Sequence, residues 1–175
     1  MTRWDFEPGH TSVAFAVRHM MITIVRGQYR NIKGALYFDP TEPSKASVEV
    51  DIDAASCSTE EPDRDAHLKS ADFLNCANHP TIRFKSTQVE RTGFSTYKIA
   101  GDLTIRGITR PVTLDAYYYG PVDTPFNNTR IGFLATTRIN REDFGVSWNA
   151  PMPSGGYVVA KEVELTIDVE AIRAP

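Results

Sequence analysis

The chain has 175 residues, 41% of them hydrophobic and 23% charged, which is the size and balance of one globular domain with a full core. The formal net charge is −3 and no block of one sign occurs, so the basic stripe that neutralises nucleic-acid phosphates is absent and no nucleic acid is expected as a partner. No apolar run approaches the roughly 20 residues that cross a bilayer or the roughly 7–15 of a secretory signal. We therefore expect one domain over residues 1–175, located in the cytoplasm, without stable insertion into a membrane.

The first clear element covers residues 10–19, where His10 and His19 bracket an alternating run. Phe15, Val17 and His19 fall on one face of a strand, and small or polar residues fall on the other. A strand with one apolar face and a terminal histidine is compatible with an enzyme, a metal site or a container for an apolar ligand. The later elements have to decide among these three.

Further runs alternate between apolar and polar residues in the same way. They cover residues 46–53, 81–89, 97–105, 112–118, 131–139 and 163–170. Strands with one polar and one apolar face belong to antiparallel sheets with one wet side. About eight such strands joined by short turns predict an all-β fold, either a sandwich or an up-and-down barrel. We favour an eight-stranded antiparallel lipocalin-like barrel, because closure removes the exposed edge strands.

Residues 59–75 break the strand pattern and predict a helix. Ser58 or Thr59 is expected to cap it, and acidic residues occupy the first turn, where the helix dipole favours them. We therefore expect one inserted helix near residues 60–75, covering one end of the barrel.

Four histidines make a zinc site worth testing, but no two of them lie four residues apart. An extended strand would separate His10 from His19 by roughly 30 Å, so no metal is expected.

Ser12 beside His10 suggests a nucleophile and its base, but without a Gly-x-Ser-x-Gly elbow we favour hydrogen bonding at the start of the strand. Cys57 and Cys76 match no zinc spacing and are expected to be free thiols.

The densest polar cluster lies at residues 64–70. Arg64, His67 and Lys69 could hold a phosphate or pyrophosphate. The alternative, which we favour from the pattern alone, is a helix with local ion pairs between neighbouring turns. No Walker loop or Gly-x-Gly-x-x-Gly is present, so no nucleotide cofactor is expected.

A series of segments, in order along the whole chain, resembles the YceI-like family of polyisoprenoid-binding, lipocalin-like proteins. The segments are 4–6, 10–19, 27–40, 48–56, 64–73, 79–86, 101–114 and 141–145, and the most specific is Gly101–Leu114. The resemblance implies an eight-stranded barrel with a helix around an elongated apolar pore. It also implies a carrier of a long isoprenoid, such as a quinone tail or polyprenyl phosphate, that carries out no reaction and needs no cofactor.

The alternation of each strand predicts which side chains line this pore. The predicted lining residues are Phe15, Val17, Val50, Phe84, Ile99, Leu103, Phe133, Leu165 and Ile167. His19 ends the first apolar row, and we expect it to hydrogen-bond within the core, with contact to a ligand head group as the alternative. Arg64, His67 and Lys69 are the candidates for a polar mouth.

The predicted function is non-catalytic binding of a long-chain amphiphilic lipid, an isoprenoid or another apolar small molecule. One alternative is an enzyme that acts on a lipid-like substrate through His19 or His67. Another is a stress-related scaffold whose barrel is filled by its own side chains. The outward-facing tyrosines of the run Tyr117–Tyr119 are candidates for a homodimer contact, and ordinary surface rings are the alternative.

Overall fold

The computed structural model of residues 1–175 is an antiparallel β-barrel in which the first strand pairs with the last. The strands are β1 Thr2–Phe6, β2 Ser12–His19, β3 Thr23–Tyr29, β4 Ile32–Phe38, β5 Ser47–Asp53, β6 Cys57–Ser58, β7 Thr81–Arg91, β8 Thr96–Ile105, β9 Ile108–Asp123, β10 Thr129–Asn140 and β11 Val159–Arg173. The one α-helix, α1, covers Pro62–Lys69. The predicted all-β barrel with one inserted helix is confirmed.

The eleven strands occupy eight positions in the barrel wall, because three of these positions hold interrupted strands, namely β1 with β2, β3 with β4 and β5 with β6. β1 and β2 both pair with β11 and are separated by a short 3-10 helix, Pro8–His10. β3 and β4 pair with β2 and β1, and the chain leaves the sheet between them at Arg30 and Asn31. The strand predicted over residues 10–19 therefore begins only at Ser12, and His10 belongs to the 3-10 turn before it.

The two ends of the barrel differ. The lower end carries the β2–β3 turn Met20–Ile22, helix α1 and the long connection from Arg141 to Val158. The upper end carries the β7–β8 turn at residues 92–95 and the β9–β10 loop. Inside, the apolar faces of the strands form two buried clusters, one around Phe84 and Phe144 and one around Phe38 and Tyr97. The interior is therefore layered along the barrel axis.

Three inward-facing glycines lie directly under aromatic rings. The pairs are Phe15 over Gly27, Phe6 over Gly34 and Phe84 over Gly101. A Cβ on Gly27 would stand 2.3 Å from the Phe15 ring, and one on Gly101 would stand 2.5 Å from the Phe84 ring. The missing side chains let these rings lie flat against the neighbouring strand, which leaves space at the barrel axis.

The helix is shorter than the sequence predicts, and the predicted cap is wrong. Helix α1 ends at Lys69 because Ser70 adopts an extended conformation. The residue at the N-cap is Glu61, with Pro62 in the first turn, where its missing N–H costs nothing. Thr59 instead donates its hydroxyl and its backbone N–H to the carboxylate of Asp65, at 2.6 and 2.7 Å. No helix of the protein is both long enough and apolar enough to cross a membrane.

Candidate functional site

The upper cavity is almost entirely apolar. It has a volume of about 80 Å³, and 16 of its 17 lining residues are hydrophobic. Five predicted lining residues border it, namely Val50, Phe84, Ile99, Phe133 and Ile167. Tyr97 also borders this cavity and is 2% exposed, but its hydroxyl makes no hydrogen bond. A cavity of this composition excludes charged groups and accepts hydrocarbon.

The lower cavity lies between the barrel and helix α1 and has a volume of about 110 Å³. Phe15, Val17 and Leu165 border it, as the strand alternation predicts. Leu68 of α1 and Phe73 of the following turn cover it from the helix side. The inserted segment therefore covers an apolar chamber at the lower end.

The upper and lower cavities share no lining residue. The residues that pack against both buried clusters, and so lie at the boundary of the two chambers, are Phe6, Val48, Ile99, Leu114 and Ile167. We call three of these five, Ile99, Leu114 and Ile167, the waist. The interior is therefore two chambers, whereas the resemblance implied one continuous pore.

One opening on the side of the lower end leads into the lower chamber. It has a volume of about 230 Å³ and shares Phe15 and Val17 with the lower cavity. Its apolar rim includes Trp148 and Val158. Its polar residues are all basic, namely Arg18, His19, Arg64 and His67, and no carboxylate lines it. We call this feature the side opening.

Helix α1 and β2 hold these basic groups at the rim. The Nε atom of Arg64 donates to the hydroxyl of Thr59 at 2.7 Å, and Nη2 donates to its carbonyl oxygen at 3.1 Å. His67 lies edge-on to Trp148, with ring centroids 4.8 Å apart, and its Nε2 atom is 2.9 Å from Asp72 Oδ2. His67 is the one member of the four that pairs with a carboxylate.

Three predicted site residues lie elsewhere than expected. His19 borders the side opening and makes no side-chain hydrogen bond, so the expected core hydrogen bond is not formed. Lys69 lies outside the rim because it is five residues beyond Arg64 and points away from the face shared by Arg64 and His67. Leu103 is buried within the lower cluster and borders neither of the two cavities nor the side opening.

The geometry agrees with the comparison to known proteins. A family model described as the YceI-like domain matches residues 4–171. The chain belongs to the YceI-like family. Among its relatives, the UPF0312 protein of Pectobacterium carotovorum subsp. carotovorum is 38% identical over 171 residues, covering 98% of this chain and 85% of that protein.

Solved structures share the fold of this YceI-like chain. BcnA of Burkholderia cenocepacia superposes with a TM-score of 0.83 at 20% identity, covering 95% of this chain and 99% of that one. A domain from Saccharophagus degradans, described as polyisoprenoid-binding and implicated in plant cell wall breakdown, superposes with a TM-score of 0.68 at 11% identity. That match covers 100% of this chain and 99% of the other.

A buried arginine that the sequence pattern did not single out holds the lower end of this YceI-like barrel together. Arg141 is 5% exposed, and it donates to the carbonyl oxygens of Val146, Trp148, Val159 and Ala160. Burial lowers the pKa of its guanidinium from the usual value. Through these four carbonyls Arg141 positions the segment that carries Trp148 to the side opening. Only its place in the family-like segment 141–145 hinted at this role.

A second polar cluster lies on the outer surface, where β1 gives way to β2. Glu7, His10 and Glu170 bring one ligand-type atom each within 4.8 Å of the others. His10 Nδ1 is 2.5 Å from Glu7 Oε2, and Arg130 forms a salt bridge with Glu170. The hydrogen bond from His10 lowers the pKa of Glu7 below its usual value. The cluster is an ion-pair network that ties β10 and β11 to the 3-10 turn.

Proposed function

We propose that this protein is a non-catalytic carrier that holds the long apolar chain of an isoprenoid lipid inside the barrel and the lipid head group at the side opening. The observation that carries the proposal is the polarity of the interior. The apolar lower cavity ends at one opening whose polar groups are all basic, and a second apolar cavity lies above it in the barrel. An amphiphile with one long tail and one head matches that gradient.

The apolar chambers supply the driving force for tail binding. Transfer of hydrocarbon out of water gains about 0.8 kcal/mol per carbon, so each five-carbon unit would contribute about 4 kcal/mol before ordering costs. A tail longer than one chamber has to pass the waist residues Ile99, Leu114 and Ile167. In this account these side chains change rotamer on binding and join the two chambers into one pore. The polyisoprenoid binding described for the Saccharophagus degradans domain of the same fold supports an isoprenoid tail.

The basic rim favours an anionic head. The guanidinium groups of Arg18 and Arg64 reach the side opening without a carboxylate partner, whereas a neutral quinone ring would leave their charge uncompensated. Guanidinium groups make their strongest hydrogen bonds with phosphate and carboxylate. Of a quinone and a polyprenyl phosphate, we therefore favour the polyprenyl phosphate.

The enzyme alternative has less support at this site. His67 already pairs with Asp72, and no serine, threonine or cysteine lines the side opening beside His19 or His67. A histidine without a nucleophile or a metal can still move a proton, so conversion of a bound lipid that stops in a His67→Ala variant would favour an enzyme.

The test is titration of the detergent-free protein with three ligands whose tails have equal length: a polyprenyl phosphate, the uncharged polyprenol and a quinone. We expect the phosphate to bind tightest, and we expect Arg64→Gln to weaken it about ten-fold while leaving the polyprenol unchanged. Arg138→Gln is the matched control, since Arg138 is exposed and pairs with Glu162 and Glu164 away from the opening. Failure to bind any of the three ligands would contradict the proposal.

A further inference from the structure

The turn between β2 and β3 exposes a group of large apolar side chains to solvent. Met21 and Ile22 are 69% and 80% exposed, and Met20 and Ile24 are also exposed. Tyr157 of the connection from Arg141 to Val158 is 59% exposed beside them. We call these five residues the apolar tip. A water-facing turn has no need of such residues, since polar residues and glycine dominate ordinary turns.

Backbone and side-chain contacts hold the apolar tip in place. Met20 donates its N–H to the carbonyl oxygen of Val158 at 2.7 Å, which fastens the turn to the neighbouring connection. The Met21 side chain packs closely on Gly156, since a Cβ added to Gly156 would lie 3.1 Å from the Met21 sulfur. Met20 and Met21 both adopt positive φ angles, 52° and 61°, which side-chain-bearing residues disfavour. The protein thus maintains a strained turn that presents methionine and isoleucine to solvent.

The apolar tip adjoins the side opening. Arg18 and His19, which border the opening, directly precede Met20 in the chain. Val158 borders the opening and also receives the hydrogen bond from Met20. A lipid tail that enters here passes next to the tip. Since long hydrocarbon chains are very poorly soluble in water, a carrier loads efficiently only where its opening meets the membrane.

Charge on the same hairpin favours an anionic surface. Arg18 pairs across the hairpin with Ile24, and Arg26 pairs with Ala16, so two exposed cations stand directly behind the tip. Neither forms a salt bridge. The acidic residues at this end lie on other segments: residues 60–72 in and around α1, Glu142 and Asp143 after β10, and Glu162 at the start of β11. Of these, Asp72 pairs with His67, Glu142 with Lys161 and Glu162 with Arg138. Apolar side chains at the level of the lipid head groups with cations behind them are typical of proteins that lie on a membrane surface.

We propose that the apolar tip docks the side opening onto an anionic lipid bilayer, so that a lipid passes between membrane and barrel without crossing water. The inference rests on the proposed function for its purpose, but docking itself can be measured on protein without ligand. In the docked state the lower end of the barrel faces the bilayer and the upper end faces solvent.

The experiment is flotation of the ligand-free protein with vesicles of equimolar phosphatidylcholine and phosphatidylglycerol, and with vesicles of phosphatidylcholine alone. We expect binding to the anionic vesicles and at least about ten-fold weaker binding of the double variant Met21→Ser/Ile22→Ser. Arg26→Glu is expected to weaken binding in a salt-dependent manner. Phe94→Ser is the matched control, because Phe94 is 92% exposed at the opposite end of the barrel. Thermal melts establish that each variant is folded.

A transfer assay separates this inference from the proposed function. Movement of a fluorescent polyprenyl phosphate from donor to acceptor vesicles should slow in Met21→Ser/Ile22→Ser, although titration with the dispersed lipid still gives wild-type affinity. Wild-type protein that binds the dispersed lipid but does not float with vesicles would overturn docking and leave the carrier function standing. Vesicle binding without any uptake of lipid would overturn the carrier function and leave docking standing. A dimer in light scattering that the double variant abolishes, with no flotation, would assign the tip to a second copy and also overturn docking.

Discussion

Replacement of Arg141 by methionine is the change that we expect to weaken the lower end of the barrel most. The guanidinium donates to carbonyl oxygens at 2.6 Å on Val146, 3.0 Å on Trp148, 3.3 Å on Val159 and 2.8 Å on Ala160. Hydrogen bonds from a charged donor contribute about 1.5–3 kcal/mol each. Methionine fills a similar length but donates to none of these carbonyls, and only the Val159 oxygen keeps another donor, Nδ2 of Asn149 at 2.7 Å.

The loss is partly offset, since Arg141→Met also removes a buried charge whose desolvation costs several kcal/mol. We expect a net loss of about 3–5 kcal/mol in the free energy of unfolding, seen as a lower urea midpoint and a melting temperature lower by about 6–20 °C. Arg141→Lys should recover only part of it, because one ammonium cannot reach four carbonyls.

The matched control is Arg138→Met, also near the lower end of β10. Arg138 is exposed and forms salt bridges only with surface glutamates, so its replacement should cost about 1 kcal/mol or less. Equal urea midpoints for the Arg141→Met and Arg138→Met variants would refute the reasoning that buried carbonyls depend on this guanidinium.

Two further predictions test the packing inside the barrel. Gly101→Ala should lower the free energy of unfolding by about 1–3 kcal/mol in urea denaturation, because the new Cβ would lie 2.6 Å from the backbone oxygen of Lys85, which cannot move aside. The control is Gly132→Ala, which should be neutral or slightly stabilising because its Cβ would make only ordinary contacts at 3.6 Å and beyond. Equal losses at both sites would contradict the steric argument. Tyr97→Phe should leave the ligand-free protein as stable as the wild type, or more stable by up to about 1–2 kcal/mol, because it removes a buried hydroxyl that has no hydrogen-bond partner. A clear loss of stability in urea denaturation would show that the hydroxyl has a partner.

Most of the wall of the barrel could be predicted from local pattern. Alternation in β5, β7, β8 and β11 assigned the inward face of the predicted lining residues correctly, because a strand has a period of two and apolar residues dominate the inward row of each of these strands. The break between β1 and β2 was not visible in the same way. A 3-10 turn of three residues leaves little trace in the alternation, so His10 was placed on the strand.

The site was less predictable than the wall. Arg64 and His67 could be assigned to one helix face by their spacing, but the length of α1 depends on a single backbone turn at Ser70 that no residue preference dictates. The arrangement at Arg141 depends on the path of the chain from Val146 to Ala160, which has no periodic pattern. The division of the interior into two chambers depends on the packing of the waist side chains, which strand alternation does not describe.

The carrier function is tested by native mass spectrometry of protein purified without detergent, with identification of any lipid extracted from it by organic solvent. We expect one bound isoprenoid per chain, with an anionic head group, or stoichiometric uptake when a polyprenyl phosphate is added to lipid-free protein. A spectrum that shows only the bare chain in both preparations would contradict it.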